Sequence, residues 1–410
     1  MPNSDRDATA PHDVLIIGGG LVGASLAIAL DGLGLDVAMV EATPAGALPA
    51  VFDQRNLSFA EATVNALGAL GVLPLLRAPT GRIRRIHASR AGDFGRVRLE
   101  AKAHGREEFG RVVVARDFGD ALEARLGQLQ HLTRYRPARF VGLAGDGDGL
   151  RRVRIADTQG ERELSTRLLV AADGTRSGVR ETLGIHAREH DYGQTLLVAR
   201  LRTQRPPDGT AYERLTAHGP TALLPRGDGH YGLVHGVPSE QADAVAAMDD
   251  VAFLARVQDA FGWRAGRFLA VGPRNVYPIV GCVADALVAP RAVLVGNAAQ
   301  TLHPLGAQGF NLGLRDALTL AECIAAHPVD AGDDALLRSH AARRAEDRSR
   351  TLAFSDGLAK LTSNDAPLLR PLRSAGLLVG DAMGWLQGWL VGGAMGYRGD
   401  VPALCRRSGL

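Results

Sequence analysis

Residues 13–42 read "DVLIIGGGLVGASLAIALDGLGLDVAMVEA", and the fold follows from how that run is punctuated. Val14–Ile17 is a short, wholly apolar stretch, as a strand covered on both faces would be. Gly18, Gly20 and Gly23 follow at the spacing Gly-x-Gly-x-x-Gly, leading into a run of helical length. A second apolar strand, Val37–Val40, ends on Glu41. The glycines allow a tight turn and let the backbone approach a pyrophosphate, while the helix N-terminus offers it unpaired N–H groups and a positive dipole. Glu41 stands about 20 residues on, where an acid accepts hydrogen bonds from an adenosine ribose. The run is therefore a nucleotide-binding βαβ unit that opens a Rossmann-like α/β domain.

A second strand-to-helix junction, "VGNAAQTLHPLGAQGFNLGLRDA" at residues 295–317, is far longer than a turn requires. It holds Pro304, Gly306 and Gly309, with His303 as its ionisable member before the helix. Small residues at Gly296, Ala298 and Ala299 let a flat ligand lie against the strand end. The helix beyond Gly309 sets N–H groups beside a carbonyl that gains negative charge. A reduced isoalloxazine ring, anionic across N1 and its C2 carbonyl, asks for that arrangement, so the loop reads as a flavin cradle. Asn297 offers an acceptor and two donors without the desolvation an aspartate would suffer. It either holds a ribityl hydroxyl or caps the turn. His303 reads as a loop residue bonded to backbone in preference to a group orienting ring or substrate.

Two further stretches carry a resemblance. "LLVAADGTRSGVR" (168–180), "FDQRNLSFA" (52–60) and the 296–317 loop are similar to three motifs of the class A FAD-dependent aromatic monooxygenases. The fold this implies is a FAD-binding domain of the glutathione-reductase and p-hydroxybenzoate-hydroxylase type, with a β-sheet substrate domain and a helical C-terminus. It implies Arg55 at the flavin pyrophosphate and Asp173 near FAD and the nicotinamide path. It also implies Asn297, Pro304, Gly306, Gln308, Gly309 and Asn311 against the ribityl chain and ring. FAD would be resident, NADPH or NADH the transient reductant, and O₂ the source of one oxygen atom inserted through a flavin C4a-hydroperoxide.

Within that family, "RIHASRAGDFGRVRLEA" (85–101), "YGQTLLVARL" (192–201) and "AYERLTAHGPTALLP" (211–225) resemble the ubiquinone-biosynthesis hydroxylases. The likeness is to their 2-polyprenyl-6-methoxyphenol branch, which implies a polyprenyl phenol as substrate. The chain departs from the wider class in reading Gly-Asn-Ala-Ala at 296–299, and from the branch in reading Gly306-Ala307 for Ala-Gly. A phenol is activated para to its own hydroxyl, so no catalytic side chain is assigned. A FAD-dependent reductase of an isoprenoid, and a catalytically silent FAD-binding member of a pathway complex, are the other functions the same fold admits.

Composition fits a globular chain of 410 residues, 46% apolar and 22% charged, with a net charge of +3. No run of like charge suits nucleic acid. Cys282, Cys323 and Cys405 lack metal or redox spacing, which points to free thiols in a reducing compartment. His186 and His190 in "HAREH" would share a helix face, but no third ligand accompanies them and no metal is expected. No secretory pattern and no 18-residue apolar run is present, so the expectation is cytoplasmic, with peripheral contact at the inner membrane as an extension.

The expected division is a FAD domain from 1–78, 110–187 and 283–362, a β-sheet roof from 79–109 and 188–282, and a C-terminal helical segment at 363–410. Glycines recur every fourth residue from Gly376 to Gly396, one ridge of a helix. That row packs internally, or forms a seam for pathway proteins or a second copy, or presents an apolar surface to a bilayer.

Overall fold

The strand His12–Ile17 runs between two parallel neighbours, Gly160–Ala171 and Val37–Val40, in a computed structural model that describes residues 10–216, 218–363, 376 and 383–406. Leu132–Tyr135 extends this parallel sheet beyond Val37–Val40, and Ala292–Leu294 extends it beyond Gly160–Ala171. Val14 and Ile16 face a cluster that includes Leu26, Leu314 and Leu318, while Leu15 and Ile17 face another with Val153 and Ile155. Burial on both faces is why these strands read as continuous apolar runs. The second cluster is covered by the antiparallel strands Ala138–Gly147 and Leu150–Asp157, which lead into Gly160–Ala171 as a meander.

Two helices meet on the other face. Leu21–Ala29 and Gln308–Ala326 approach so closely that a Cβ on Gly313 would lie 2.8 Å from Val22 Cγ2 and 3.0 Å from the Gly296 Cα. The 30-residue helix Asp334–Ser363 packs behind Gln308–Ala326.

A nine-stranded, mostly antiparallel sheet forms the second layer. Its order runs from Gln300–Thr301 through Asn275–Ala284, Ala187–Thr203, Tyr231–Pro238, Gly219–Pro225 and Thr210–Thr216 to Arg85–Arg90 and Arg96–Glu100. Side chains alternate between faces with period two. Leu197, Ala199, Leu223 and Leu233 pack on the helix Asp250–Phe261 through Phe253, Val257 and Phe261. Leu196, Val198, Ala222 and Val234 point the opposite way, into a cavity. A small third sheet joins Asn56–Ala60, Gly110–Val114 and Gly81–Ile83.

The helix needed to pair His186 with His190 does not form. His190 stands on the strand Ala187–Thr203, and His186 Nδ1 lies 3.0 Å from Asp285 Oδ2. Among the described residues no three potential ligands come together for a metal, and all three cysteines are buried and free. Of the glycine row, Gly384, Gly388 and Gly392 lie on the helix Gly384–Ala394, and Gly396 (φ +84°) stands past its end. Gly380 lies outside the described residues. No helix among them is long and apolar enough to cross a membrane.

Candidate active site

One cavity of about 1290 Å³ lies between the parallel sheet and the nine-stranded sheet. Its floor is built from the glycine run after His12–Ile17. Gly18 holds φ +105°, and a Cβ there would sit 2.5 Å from the Ala172 carbonyl oxygen. A Cβ on Gly23 would sit 2.0 Å from the Gly18 oxygen. These two glycines are demanded by the protein itself. Gly20 is not, because its Cβ would meet nothing nearer than Val51 Cγ1 at 3.7 Å. It borders open cavity at the N-cap of Leu21–Ala29, a helix whose start has no side-chain cap and no acid in its first turn. Glu41 accepts the Gly19 N–H at 2.8 Å and the Thr43 N–H at 2.7 Å, so its carboxylate is pinned at the cavity edge.

Asp173 enters from the end of Gly160–Ala171. Its Oδ2 accepts the Val179 N–H at 3.2 Å, while Oδ1 is buried with no protein partner. Burial raises its pKa, opposed by hydrogen bonds from Ser177 and the backbone of the following turn. Arg55 grips Asp53 through Nε (2.9 Å) and Nη2 (2.7 Å) and lies 4.3 Å over the Tyr277 ring, whose hydroxyl donates to Asp53 at 2.6 Å. Burial pushes the Tyr277 hydroxyl up to about 12, with the Asp53 hydrogen bond adding to it.

The 295–317 loop forms the far wall. Pro304, Gly306, Gln308 and Gly309 all border the cavity, and Asn297 is exposed to it. Gly306 (φ +72°) and Ala307 (φ +51°) are both left-handed, so the shift of glycine by one place leaves an alanine in that region. Gln308 donates to the Gly306 carbonyl at 3.1 Å. The Asn311 amide is committed to the protein. Its Oδ1 accepts the Ala60 N–H at 2.9 Å, and its Nδ2 donates to Ser58 and Ala307 carbonyls at 3.0 and 2.8 Å. His303 Nδ1 accepts the Leu305 N–H at 3.3 Å, which leaves Nε2–H to donate to Gln194 Oε1. Burial lowers its pKa to about 4, so it is a neutral loop residue bonded to backbone.

Buried cations hold this wall in place. Arg180 donates to the Ala298 carbonyl at 2.9 Å and the Thr175 carbonyl at 3.0 Å, tying the Asp173 turn to the loop. Asp316 accepts the Gly296 N–H at 3.3 Å and Gln300 Nε2 at 2.7 Å, and its other oxygen pairs with Arg344 Nε at 2.8 Å.

The roof carries a residue that sequence reasoning missed. Glu213 lies opposite Ala88 on one side and Ala222 on the other, and the row continues through Val234 to Val198. Burial alone pushes its carboxyl up to about 7. In "TAYERLT" it shares the inward phase of Ala211 and Leu215, and a carboxylate on the apolar phase of a strand was the available signal.

A pH dependence follows. Unfolded, this carboxyl titrates near its ordinary 4.5; folded, near 7. The fold favours the protonated form, so that stabilisation is complete below the unfolded value and is lost as pH rises through the folded one. Glu213→Gln has no proton to lose. Between about pH 5 and pH 8 the cofactor-free wild type should lose on the order of 2 kcal/mol against the variant, discounted for the partial exposure of Glu213. Paired melts at the two pH values measure this, and an unchanging gap would mean the carboxyl titrates as if in water.

Residues 11–355 match the FAD binding domain family model. This chain belongs to that family. The FAD protein is 36% identical over 388 residues to ubiquinone hydroxylase UbiL of Rhodospirillum rubrum, covering 94% of this chain and 89% of the relative. It is 28% identical to 3-demethoxyubiquinol 3-hydroxylase of Escherichia coli, covering 92% and 96%. Its fold matches p-nitrophenol 4-monooxygenase PnpA of Pseudomonas putida at a TM-score of 0.78 and 17% identity, covering 98% and 100%. The chain is thus a FAD-dependent oxidoreductase among the ubiquinone-biosynthesis monooxygenases.

The residues present fit FAD. Gly20 leaves space that no protein atom claims, and two uncapped helix N-termini face the cavity. Asp173 Oδ1 is a buried acceptor without a protein donor, which a cofactor hydroxyl would satisfy. The cavity exceeds the roughly 300–1,000 Å³ of an ordinary ligand pocket, leaving room beside a dinucleotide for a second molecule.

Proposed function

We propose that this protein hydroxylates the ring of a polyprenylated methoxyphenol in ubiquinone biosynthesis, para to the phenol hydroxyl, using NADPH or NADH and O₂. The observation that carries the reading is the continuity of one cavity from the glycine turn to an apolar sheet face, so cofactor and lipid meet without crossing solvent. FAD, when bound, would supply the redox chemistry: uptake of hydride from the nicotinamide and transfer of one oxygen atom of O₂ to the ring.

The chain's own residues bind, orient and exclude water. Gly18, Gly20, Gly23 and the start of Leu21–Ala29 would receive the pyrophosphate, with Arg55 beside it, and Glu41 would take the ribose. Asp173 and Asn297 would hold ribityl hydroxyls. Pro304, Gly306, Gln308 and Gly309 would hold the ring, and the positive end of the helix Gln308–Ala326 would stabilise negative charge on it. Asn311 keeps the loop in register with Asn56–Ala60. Apolar side chains such as Leu196, Val198, Leu224 and Ile279 form a dry ceiling over the ring and a bed for the prenyl tail. Burial of the tail contributes about 0.8 kcal/mol per CH₂, so short-chain analogues bind far more weakly while undergoing the same chemistry. A lipid tail of this kind resides in a bilayer, so peripheral contact with the inner membrane belongs to the reading, as does association with pathway proteins or a second copy.

Lipid extracts from cells lacking the protein test this by mass spectrometry. Ubiquinone should fall and a species of 2-polyprenyl-6-methoxyphenol mass should accumulate. Accumulation of a demethoxyquinol would move the reaction to another ring carbon. Unchanged ubiquinone, with no second hydroxylase to compensate, would end the pathway assignment.

A further inference from the structure

Within the row Ala88–Glu213–Ala222–Val234–Val198 on the cavity face of the roof, Glu213 alone can ionise. Its two cross-strand neighbours are alanines, the smallest side chains that still mark a face. Directly opposed residues stand roughly 5 Å apart, so two alanines flanking a glutamate leave a shelf beneath the sheet about as wide as an aromatic ring. Leu215 and Ala211 adjoin it along the strand, and Leu196 and Ile279 border the same cavity. A carboxylate in such surroundings is expensive unless something arrives to share its proton. No cation or donor among the described residues shapes its titration.

We infer that Glu213 is a catalytic residue whose carboxylate accepts the proton of a substrate hydroxyl held beneath the roof. This rests on the reading of the substrate as a phenol. The phenol O–H bond breaks, the proton passes to Glu213, and the electron pair stays on the phenol oxygen. That oxygen then feeds electron density into the ring carbon para to it, where one oxygen atom of O₂ is delivered. The ring proton displaced there and the hydrogen brought by NAD(P)H join the other oxygen atom, which leaves as water carrying the two electrons of NAD(P)H, while one proton from solvent completes the new hydroxyl. Glu213 finally returns its proton to the phenol oxygen, and the quinol departs neutral.

The match of acidities supports the assignment. A phenol ionises near 10 and a solvated glutamate near 4.3, a gap of roughly six units, while a carboxyl at about 7 narrows it to about three. The same burial that raises Glu213 strips the phenolate of competing water. Tyr212 and Arg214, its chain neighbours, alternate to the opposite phase. Arg90 borders the cavity two residues further along the adjoining strand, where it pairs with Leu215 rather than with Glu213.

The test uses the FAD-loaded protein with 2-methoxy-6-decylphenol in detergent micelles as probe. Wild type, Glu213→Gln and Glu213→Asp are compared for quinol formed per NAD(P)H consumed across the range from about pH 5.5 to 9. We expect wild-type kcat/KM to rise with pH through a single ionisation near 7. Glu213→Gln should lose about 10²–10⁴-fold in kcat at pH 8, with a flat profile, while FAD stoichiometry shows that it folds. Glu213→Asp should recover part of the rate and restore the ionisation. Glu213→Gln within about threefold of wild type at every pH, or Glu213→Asp as slow and flat as Glu213→Gln, overturns the inference alone. A wild type that oxidises NAD(P)H yet forms no quinol from the probe overturns the phenol reading, and this inference with it.

Discussion

A Gly20→Val variant folds, melts like the cofactor-free wild type, and carries no FAD. Gly20 sits at φ −73° and ψ −164°, an extended conformation that valine adopts freely, and its Cβ has 3.7 Å of clearance from the nearest protein atom. The fold therefore does not register the change. The space the side chain enters is the approach to the N-terminus of Leu21–Ala29, where backbone N–H groups would meet the pyrophosphate. Keeping the phosphates a methyl group away removes those hydrogen bonds and the dipole interaction together. We expect affinity to fall by at least two orders of magnitude, about 3 kcal/mol. Gly18→Val and Gly23→Val should behave differently, because their Cβ atoms would collide with Ala172 and Gly18 backbone oxygens and the protein should fail to fold. Visible flavin absorbance per chain and a thermal melt separate the two classes. A yellow Gly20→Val would remove the nucleotide reading of the N-terminal turn.

The second large effect lies behind the cofactor loop. Asp347 accepts Arg315 Nε at 2.6 Å, Arg315 Nη2 at 3.1 Å and Arg344 Nη2 at 2.7 Å, and all three residues are buried. Asp347→Ala leaves Arg315 without its carboxylate and Arg344 with Asp316 alone. Removing one partner from a buried ionic cluster destabilises by about 3–5 kcal/mol, since the remaining charge cannot recover its hydration. The harm should spread to FAD, because Arg344 orders Asp316 and Asp316 holds the backbone of Gly296 and the side chain of Gln300. Chemical denaturation followed by far-UV signal and flavin fluorescence reads both. A loss under about 1 kcal/mol would mean that water reaches the cluster.

Acid should reproduce part of that loss in the wild type. Burial by itself raises the Asp347 carboxyl, but Arg315 and Arg344 outweigh it and hold the group below its ordinary value of 3.8. The stability it contributes is present above that ordinary value and disappears as pH falls through the lower, folded one.

The parts of the molecule legible in its sequence are those whose constraint is local. Gly23 is bare because the Gly18 carbonyl touches it, a requirement written within six residues, and Gly18 takes a left-handed φ of +105° inside the same turn, although the Ala172 carbonyl that also excludes a side chain there is far off in sequence. The parallel strands showed themselves because covering both faces leaves no polar alternation to read. Asn311 was legible as a motif member, but its commitment to Ser58 and Ala60, some 250 residues away, was not. The Arg315–Asp316–Arg344–Asp347 cluster was invisible for a similar reason. Charges on helices ordinarily face water, and only the packing of Asp334–Ser363 against Gln308–Ala326 buries these. Glu213 differs from both. Its signal is a carboxylate on the apolar phase of one strand, inside a stretch whose family likeness says nothing of that residue.

The two-residue strand Gln300–Thr301 has a mechanical meaning. It pairs with Val283 and Cys282 of the strand Asn275–Ala284, so the 295–317 loop contributes an edge strand of the roof. Ceiling and the start of the far wall therefore share hydrogen-bonded backbone at Gln300–Thr301. The vertical gap across the cavity behaves like the jaw of a fixed spanner rather than of an adjustable one. Tolerance to ligands of different shape must come from side chains and from length along the bed, because the height is set in main chain.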